Sequence, residues 1–306
     1  MTNGNTQKIE RLYEELIERL CKWAEGRTDV RAVVIVGSRA RVDHTADEWA
    51  DLDAVIITTD PEHYVSTPDW IDNFGEPLLT FIESTSTGAE KERRVLYEGM
   101  LDVDFAIIPQ EKALKLLEAG TDSQTSAQIS NLLGRGIRVL VDKDGMASQF
   151  SALAASVKLP PCQPTQDEFL EVVSDFVYHA VFTAKHLRRG ELWWTVTCLD
   201  CYMQRSLLRM IEWHALATHD WKHDTWFRGR FLEEWADPKA VEGLREAFAQ
   251  CDKEDIKRAL LAVMDLFHWL ATETATKLGY RYPAKADENI TEWIRTCVSE
   301  TSDRKQ

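Results

Sequence analysis

Long apolar runs are absent: nothing in the 306 residues approaches the roughly 18 uninterrupted apolar residues that a membrane helix needs. The first ten residues, Met1–Glu10, are polar and carry no apolar signal segment, so a cytoplasmic protein without a membrane partner is expected. Cysteine is sparse, with six residues scattered at positions 21, 162, 198, 201, 251 and 297. In a chain of this size that is no disulfide framework, and it suits reduced thiols. Positive charge is also short. The 36 Lys and Arg against 51 Asp and Glu leave a net charge of −15, and no basic stripe interleaved with aromatics stands out. Binding along a nucleic-acid backbone, which depends on Lys and Arg neutralising phosphates, is therefore excluded as an expectation. A cationic small molecule is the partner this charge favours, because the summed field concentrates it near the protein. There is no internal repeat and no low-complexity tract.

What is present is enough for a sizeable core: 44% of residues are hydrophobic, including eleven Trp and eleven Phe, so wholesale disorder is ruled out. Ile9, Leu12, Tyr13, Leu16, Ile17, Leu20, Trp23 and Ala24 recur at helical spacing and predict an amphipathic helix over 7–25. Short β-branched runs follow at Ala32–Val36, Leu52–Thr58, Leu78–Glu83, Arg94–Tyr97 and Leu101–Ile108, with Glu98-Gly99 as a hairpin turn. Gln110–Ala119 and Ser123–Leu133 read as helices, and Arg138–Val141 as a closing strand. Residues 159–165 hold three of the nine prolines and read as a linker. Beyond it the strands stop. An apolar stripe from Phe169 to Leu187, a helix over Val196–Leu216 and another over Ile256–Leu278 predict a bundle. The expected fold is α+β: a mixed sheet with helices in residues 1–158, then a helical bundle in 159–306.

The stretch with chemical content is Val33-Val-Ile-Val-Gly-Ser-Arg-Ala40, followed after ten residues by Asp51-Leu-Asp53. A strand ending in Gly-Ser leaves backbone N–H groups and a hydroxyl in a tight turn, where only glycine lets the backbone approach a phosphate closely. Side chains alternate along a strand, so Asp51 and Asp53 project to one side. Two carboxylates held together repel unless a cation lies between them, and Mg²⁺ prefers such oxygen ligands. Leu101-Asp-Val-Asp-Phe-Ala-Ile-Ile108 supplies a third: with Val103, Phe105 and Ile107 on one face, Asp102 and Asp104 lie on the other. Asp104 is preferred as the catalytic group, since Asp102 sits nearer the hairpin end. The segment 43–62 contains seven acids and no Lys or Arg.

Gly37-Ser-Arg-Ala40, Asp51-Leu-Asp53 and Val103-Asp104-Phe with Ile-Ile-Pro109 resemble nucleotidyltransferases of the polymerase-β type. The chain resembles more closely the aminoglycoside 6-adenylyltransferases (streptomycin adenylyltransferases), nearly end to end. Asp69-Trp-Ile-Asp-Asn-Phe-Gly75, Arg138-Val-Leu-Val-Asp-Lys-Asp144, Leu207-Leu-Arg-Met-Ile-Glu-Trp213 and Tyr282-Pro with Asn289-Ile-Thr291 carry that likeness. The resemblance implies a nucleotidyltransferase domain over 1–158 and a helical substrate-binding domain over 159–306. It implies ATP as cosubstrate, Mg²⁺ as cofactor with two ions expected, and transfer of AMP to an aminoglycoside hydroxyl, with streptomycin as the leading acceptor. By position it makes Asp51 and Asp53 metal ligands, Asp104 a metal ligand or general base, and Gly37, Ser38 and Arg39 the triphosphate cradle. Arg41 stands where relatives often carry a small amide. Alternatives are the same chemistry on a lincosamide or an endogenous sugar or cyclitol, or a degenerate nucleotide-binding module; the intact carboxylate set argues against the last.

A cation is also required near the distal phosphates, and Lys185 is the leading candidate, with Arg188 and Lys143 behind it. Cys198-Leu-Asp-Cys201 has no second pair and reads as two helix residues. His214, His219 and His223 lack a completing Glu or Cys and read as satisfied histidines rather than a zinc site. Trp193, Trp194 and Trp213 read as core, the alternative being an aromatic at the bundle mouth that stacks on a sugar ring. Asp200, Glu212 and Glu171 are bundle carboxylates that an acceptor's amino groups could meet.

Overall fold

In the computed structural model, which describes residues 3–85, 88, 90–118, 133–156 and 162–299, the chain divides into two compact units, Met1–Leu159 and Pro160–Gln306. The first is built on a six-stranded mixed sheet. Its strands are β1 (Val30–Val36), β2 (Leu52–Thr58), β3 (Pro77–Ser84), β4 (Lys91–Tyr97), β5 (Leu101–Pro109) and β6 (Arg138–Asp142), in the order β3-β4-β5-β2-β1-β6. Only the β2–β5 pair is parallel. The predicted strands all form. The predicted helix at Ser123–Leu133 lies, apart from Leu133, outside the described residues.

Both faces of the central strands are covered, which is why β1 reads as a near-continuous apolar run. Helix α1 (Asn3–Gly26) lays Tyr13, Leu16, Ile17, Leu20 and Ala24 on one face, against Val33, Ile35, Leu52, Ala54, Ile56, Val103 and Phe105. Trp23, Tyr64, Trp70 and Phe74 extend that core with edge-on and stacked ring contacts. Tyr64 is delivered by α2 (Pro61–Ser66), a short helix with Pro61 in its first turn and Asp60 accepting from the His63 N–H. On the other face, α3 (Gln110–Glu118) and α4 (Met146–Ser156) cover Ala32, Val34, Val36 and Ile57 with Ala113, Met146, Ala147 and Phe150. Val103, Phe105 and Ile107 point to the α1 side and are fully buried. Asp53 and Asp104 belong to the second face.

The second unit is all helical. Its long elements are α5 (Gln166–Arg188), α7 (Gln204–Thr218), α10 (Lys253–Leu278) and α11 (Ala284–Ser299), with the short α6 (Leu192–Thr197), α8 (Leu232–Trp235) and α9 (Pro238–Leu244) between them. Thr165 and Glu168 form a reciprocal capping box at the start of α5, and Asp252 caps α10, which ends at the left-handed Gly279. The predicted single helix over Val196–Leu216 is instead α6 and α7 joined through one wide turn of π type at Cys198–Met203, which accommodates an extra residue. Helix α11 was not anticipated.

Cys198 is buried and Cys201 exposed, and no disulfide joins any of the six cysteines. The histidines are satisfied individually. His214 meets Glu273 at 2.8 Å, His219 the Ala215 carbonyl at 2.8 Å, and His223 the Trp235 carbonyl at 3.2 Å. Trp213 is core, but Trp193 and Trp194 are exposed, because α6 turns that side outward. No described helix is long and apolar enough to cross a membrane.

Phe176 of α5 and Phe267 of α10 stack with centroids 3.7 Å apart at the centre of this unit. Phe176→Ala should destabilise it by about 3–5 kcal/mol, the usual cost of emptying a buried phenyl site. Guanidinium denaturation followed by tryptophan fluorescence checks this, and a loss under 1 kcal/mol would contradict the packing.

Candidate active site

Antiparallel pairing sets Val36, the last residue of β1, opposite Asp53, while parallel pairing sets Asp53 beside Asp104 of β5. One end of the sheet therefore gathers the Gly-Ser turn and the carboxylates. One carboxylate oxygen from each of Asp51, Asp53 and Asp104 lies within 4.8 Å of the other two. No other group of three His, Cys, Asp or Glu among the described residues has that property. Asp51 precedes β2 by one residue and is half-buried, as is Asp53, whereas Asp104 is buried.

The turn is a single 3₁₀ segment, Gly37–Arg39, in which the Ala40 N–H donates to the Gly37 carbonyl at 3.1 Å. Gly37 has φ +67°, and a Cβ built there would fall 2.0 Å from Asp53 Oδ2. Glycine is thus required twice over, for the left-handed backbone and for the space that the carboxylate fills. The Ser38 hydroxyl oxygen is buried with no hydrogen-bond partner among the described residues, and so is Asp104 Oδ1. Buried polar atoms are seldom left unpaired. One such atom within the three clustered carboxylates and one on the Gly-Ser turn packed against Asp53 are the donor set expected of a hard divalent cation and a phosphate. The residues fit both.

Burial pushes the Asp104 carboxyl up to about 7; Arg94 opposes the rise, and the charges of Asp102, Glu92 and Asp53 add to it. Asp102 is exposed, as its place near the hairpin end predicts.

The structure gives Arg39 a different engagement from the phosphate cradle. Its guanidinium lies 3.5 Å from the Tyr13 ring centre and donates to the carbonyls of Asp51 at 3.0 Å and Ala50 at 2.8 Å. The Tyr13 hydroxyl accepts from the Asp102 N–H at 3.1 Å. Arg39 and Tyr13 together tie α1 to the backbone that delivers Asp51. The apolar stripe of α1 announced that Tyr13 is inward, but nothing in it announced this brace.

Lys143 donates to the Ala24 carbonyl at 2.9 Å and so closes α1. Lys185, in the second unit, lies 5.9 Å from the Trp293 ring centre. Of the bundle carboxylates, Asp200 accepts from the Ala249 N–H at 3.3 Å, Glu212 faces Arg209 at 3.7 Å and Glu171 is exposed. Sequence reasoning missed Arg94, which the strand register places opposite Asp104.

The sequence pattern of the streptomycin adenylyltransferase family matches residues 10–297. The chain belongs to that family. It is accordingly an adenylyltransferase, and the Gly-Ser turn with its three aspartates lies inside the matched span. The chain is similar to the aminoglycoside 6-adenylyltransferase of Bacillus subtilis (strain 168), 22% identical over 92% of this chain and 96% of that protein. It is equally similar to that of Campylobacter jejuni, 22% identical over 93% and 95%. A crystal structure of an aminoglycoside 6-adenyltransferase from Bacillus subtilis aligns over 94% of this chain and 97% of that one, at 18% identity and a TM-score of 0.44.

Two outcomes follow for the site. Gly37→Ala should displace Asp53 and strain the turn, lowering adenylyl transfer at least tenfold and the melting temperature by a few degrees. Wild-type kinetics in that variant would mean the turn is not part of the site. Asp104 holds its proton in the folded state up to about pH 7 but releases it near 4 when unfolded, so this group's contribution to metal-free stability is full below about pH 4, falls as pH rises from there and is lost once pH passes about 7. In EDTA, the melting temperature of Asp104→Asn minus that of wild type should therefore increase between pH 5 and 8. A difference that stays flat contradicts the burial argument.

Proposed function

We propose that this adenylyltransferase transfers AMP from Mg²⁺-ATP to a hydroxyl of an aminoglycoside, with streptomycin as the leading acceptor. The observation that carries the proposal is the cluster of Asp51, Asp53 and Asp104 against the Gly37–Ser38 turn. The relatives' names supply the acceptor class, and the net charge of −15 suits a polycation.

Asp51, Asp53 and Asp104 would hold the divalent ions, which when bound supply charge neutralisation on the phosphates and polarise the reacting oxygens. The chain's own residues do the rest. The N–H groups and hydroxyl of Gly37 and Ser38 hold the triphosphate, which fixes the α-phosphorus for in-line attack. The acceptor oxygen bonds to that phosphorus, the bond from the α-phosphorus to the α–β bridging oxygen breaks, and pyrophosphate departs with its electron pair. The acceptor's proton passes to the Asp104 carboxylate, which belongs to the same cluster. Lys185 is proposed as the cation that meets the distal phosphates, and the helical unit as the acceptor-binding domain. Six cysteines without a disulfide fit a reducing, cytoplasmic setting.

The decisive experiment is mass spectrometry of an aminoglycoside panel incubated with the protein, ATP and Mg²⁺. Addition of one AMP to streptomycin is the expected product, and no adduct on any member would overturn the proposal. Asp51→Asn and Asp53→Asn should abolish transfer while the fold persists. Asp104→Asn should lower kcat by about 10²–10⁴-fold, the span of general-base contributions.

A further inference from the structure

Arg94 of β4 lies directly across from Asp104 in the antiparallel register, so the two side chains share a face of the sheet. Its Nη2 is 3.2 Å from Asp104 Oδ2 and 3.1 Å from Glu92 Oε1, and its Nε is 2.8 Å from Glu83 Oε1. Glu83 and Glu92 are register partners, and like charges directly opposite one another repel unless a cation intervenes. Arg94 is that cation. Only a planar fork of donors meets three carboxylates at once, because a lysine ammonium is a point charge on a flexible stem.

The two oxygens of Asp104 therefore differ. Oδ2 pairs with Arg94, whereas Oδ1 is buried with no hydrogen-bond partner among the described residues. We infer that Arg94 is a positioning residue: anchored by Glu83 and Glu92, it fixes the Asp104 carboxylate through Oδ2 and leaves Oδ1 to the cluster with Asp51 and Asp53. The inference rests on the metal reading of that cluster.

Charge and orientation predict opposite signs, which makes the role testable. A cation beside a metal ligand repels a divalent ion, so removing a mere charge tightens metal binding. Removing a positioning partner weakens it, and outer partners of metal ligands are commonly worth 10–100-fold in affinity. Mn²⁺ is titrated into the full-length protein, with free ion followed by electron paramagnetic resonance and the fold checked by circular dichroism. Arg94→Gln is expected to raise the Mn²⁺ Kd about tenfold or more. Arg94→Lys, which keeps the charge but not the fork, is expected to fall between Arg94→Gln and wild type. Tighter or unchanged Mn²⁺ binding in a folded Arg94→Gln protein overturns the inference and leaves the metal reading standing. If Arg94→Gln does not fold, unchanged or tighter binding in Arg94→Lys overturns it instead. A wild-type protein that binds no Mn²⁺, with or without ATP, overturns the metal reading and the inference together.

Discussion

Three carboxylates within 4.8 Å of one another repel, and the first unit is arranged so that they stay together nonetheless. The backbone brings them together before any side chain acts. Asp53 and Asp104 are fixed by the β2–β5 ladder, in the interior of a six-stranded sheet covered on both faces. A strand in that position cannot slip by one residue without turning Val103, Phe105 and Ile107 out of the core. The hydrophobic burial of one face thus underwrites the electrostatic cost of the other.

Around that cluster each neighbour has a distinct physical task. Gly37 is the residue without a side chain where the Asp53 carboxylate needs room, and it reverses the chain in a left-handed conformation. Arg39 and Tyr13 spend their polarity on backbone carbonyl and amide groups, which sets the path into Asp51. Arg94 partly compensates the charge at Asp104, yet burial still leaves that group with a proton affinity far above an ordinary aspartate's.

The second unit obeys simpler rules. Its core is a conventional apolar stripe on α5, α7 and α10, closed by the Phe176–Phe267 stack and by polar pairs at the ends of the helices. The wide turn at Cys198–Met203 lies between α6 and α7, and the Trp193–Trp194 pair just before it faces solvent. Periodicity alone reads that stretch as one uninterrupted helix, because a single extra residue barely disturbs a spacing averaged over several turns.

Local patterns along the chain suffice for the strands, the division between sheet and helical bundle, and the placement of Gly37, Ser38, Asp51, Asp53 and Asp104 near one sheet end. Those conclusions depend on spacing within a few residues, on alternation in strands and on what glycine permits, all of which are local. Tertiary structure decided which distant groups meet. That Arg94 rather than a neighbour faces Asp104 follows from the β4–β5 register, that Arg39 turns to Tyr13 follows from how α1 docks, and that Trp193 and Trp194 are exposed follows from the side that α6 turns outward. Each is set by packing between segments far apart in the chain, and no local pattern in the sequence encodes a register.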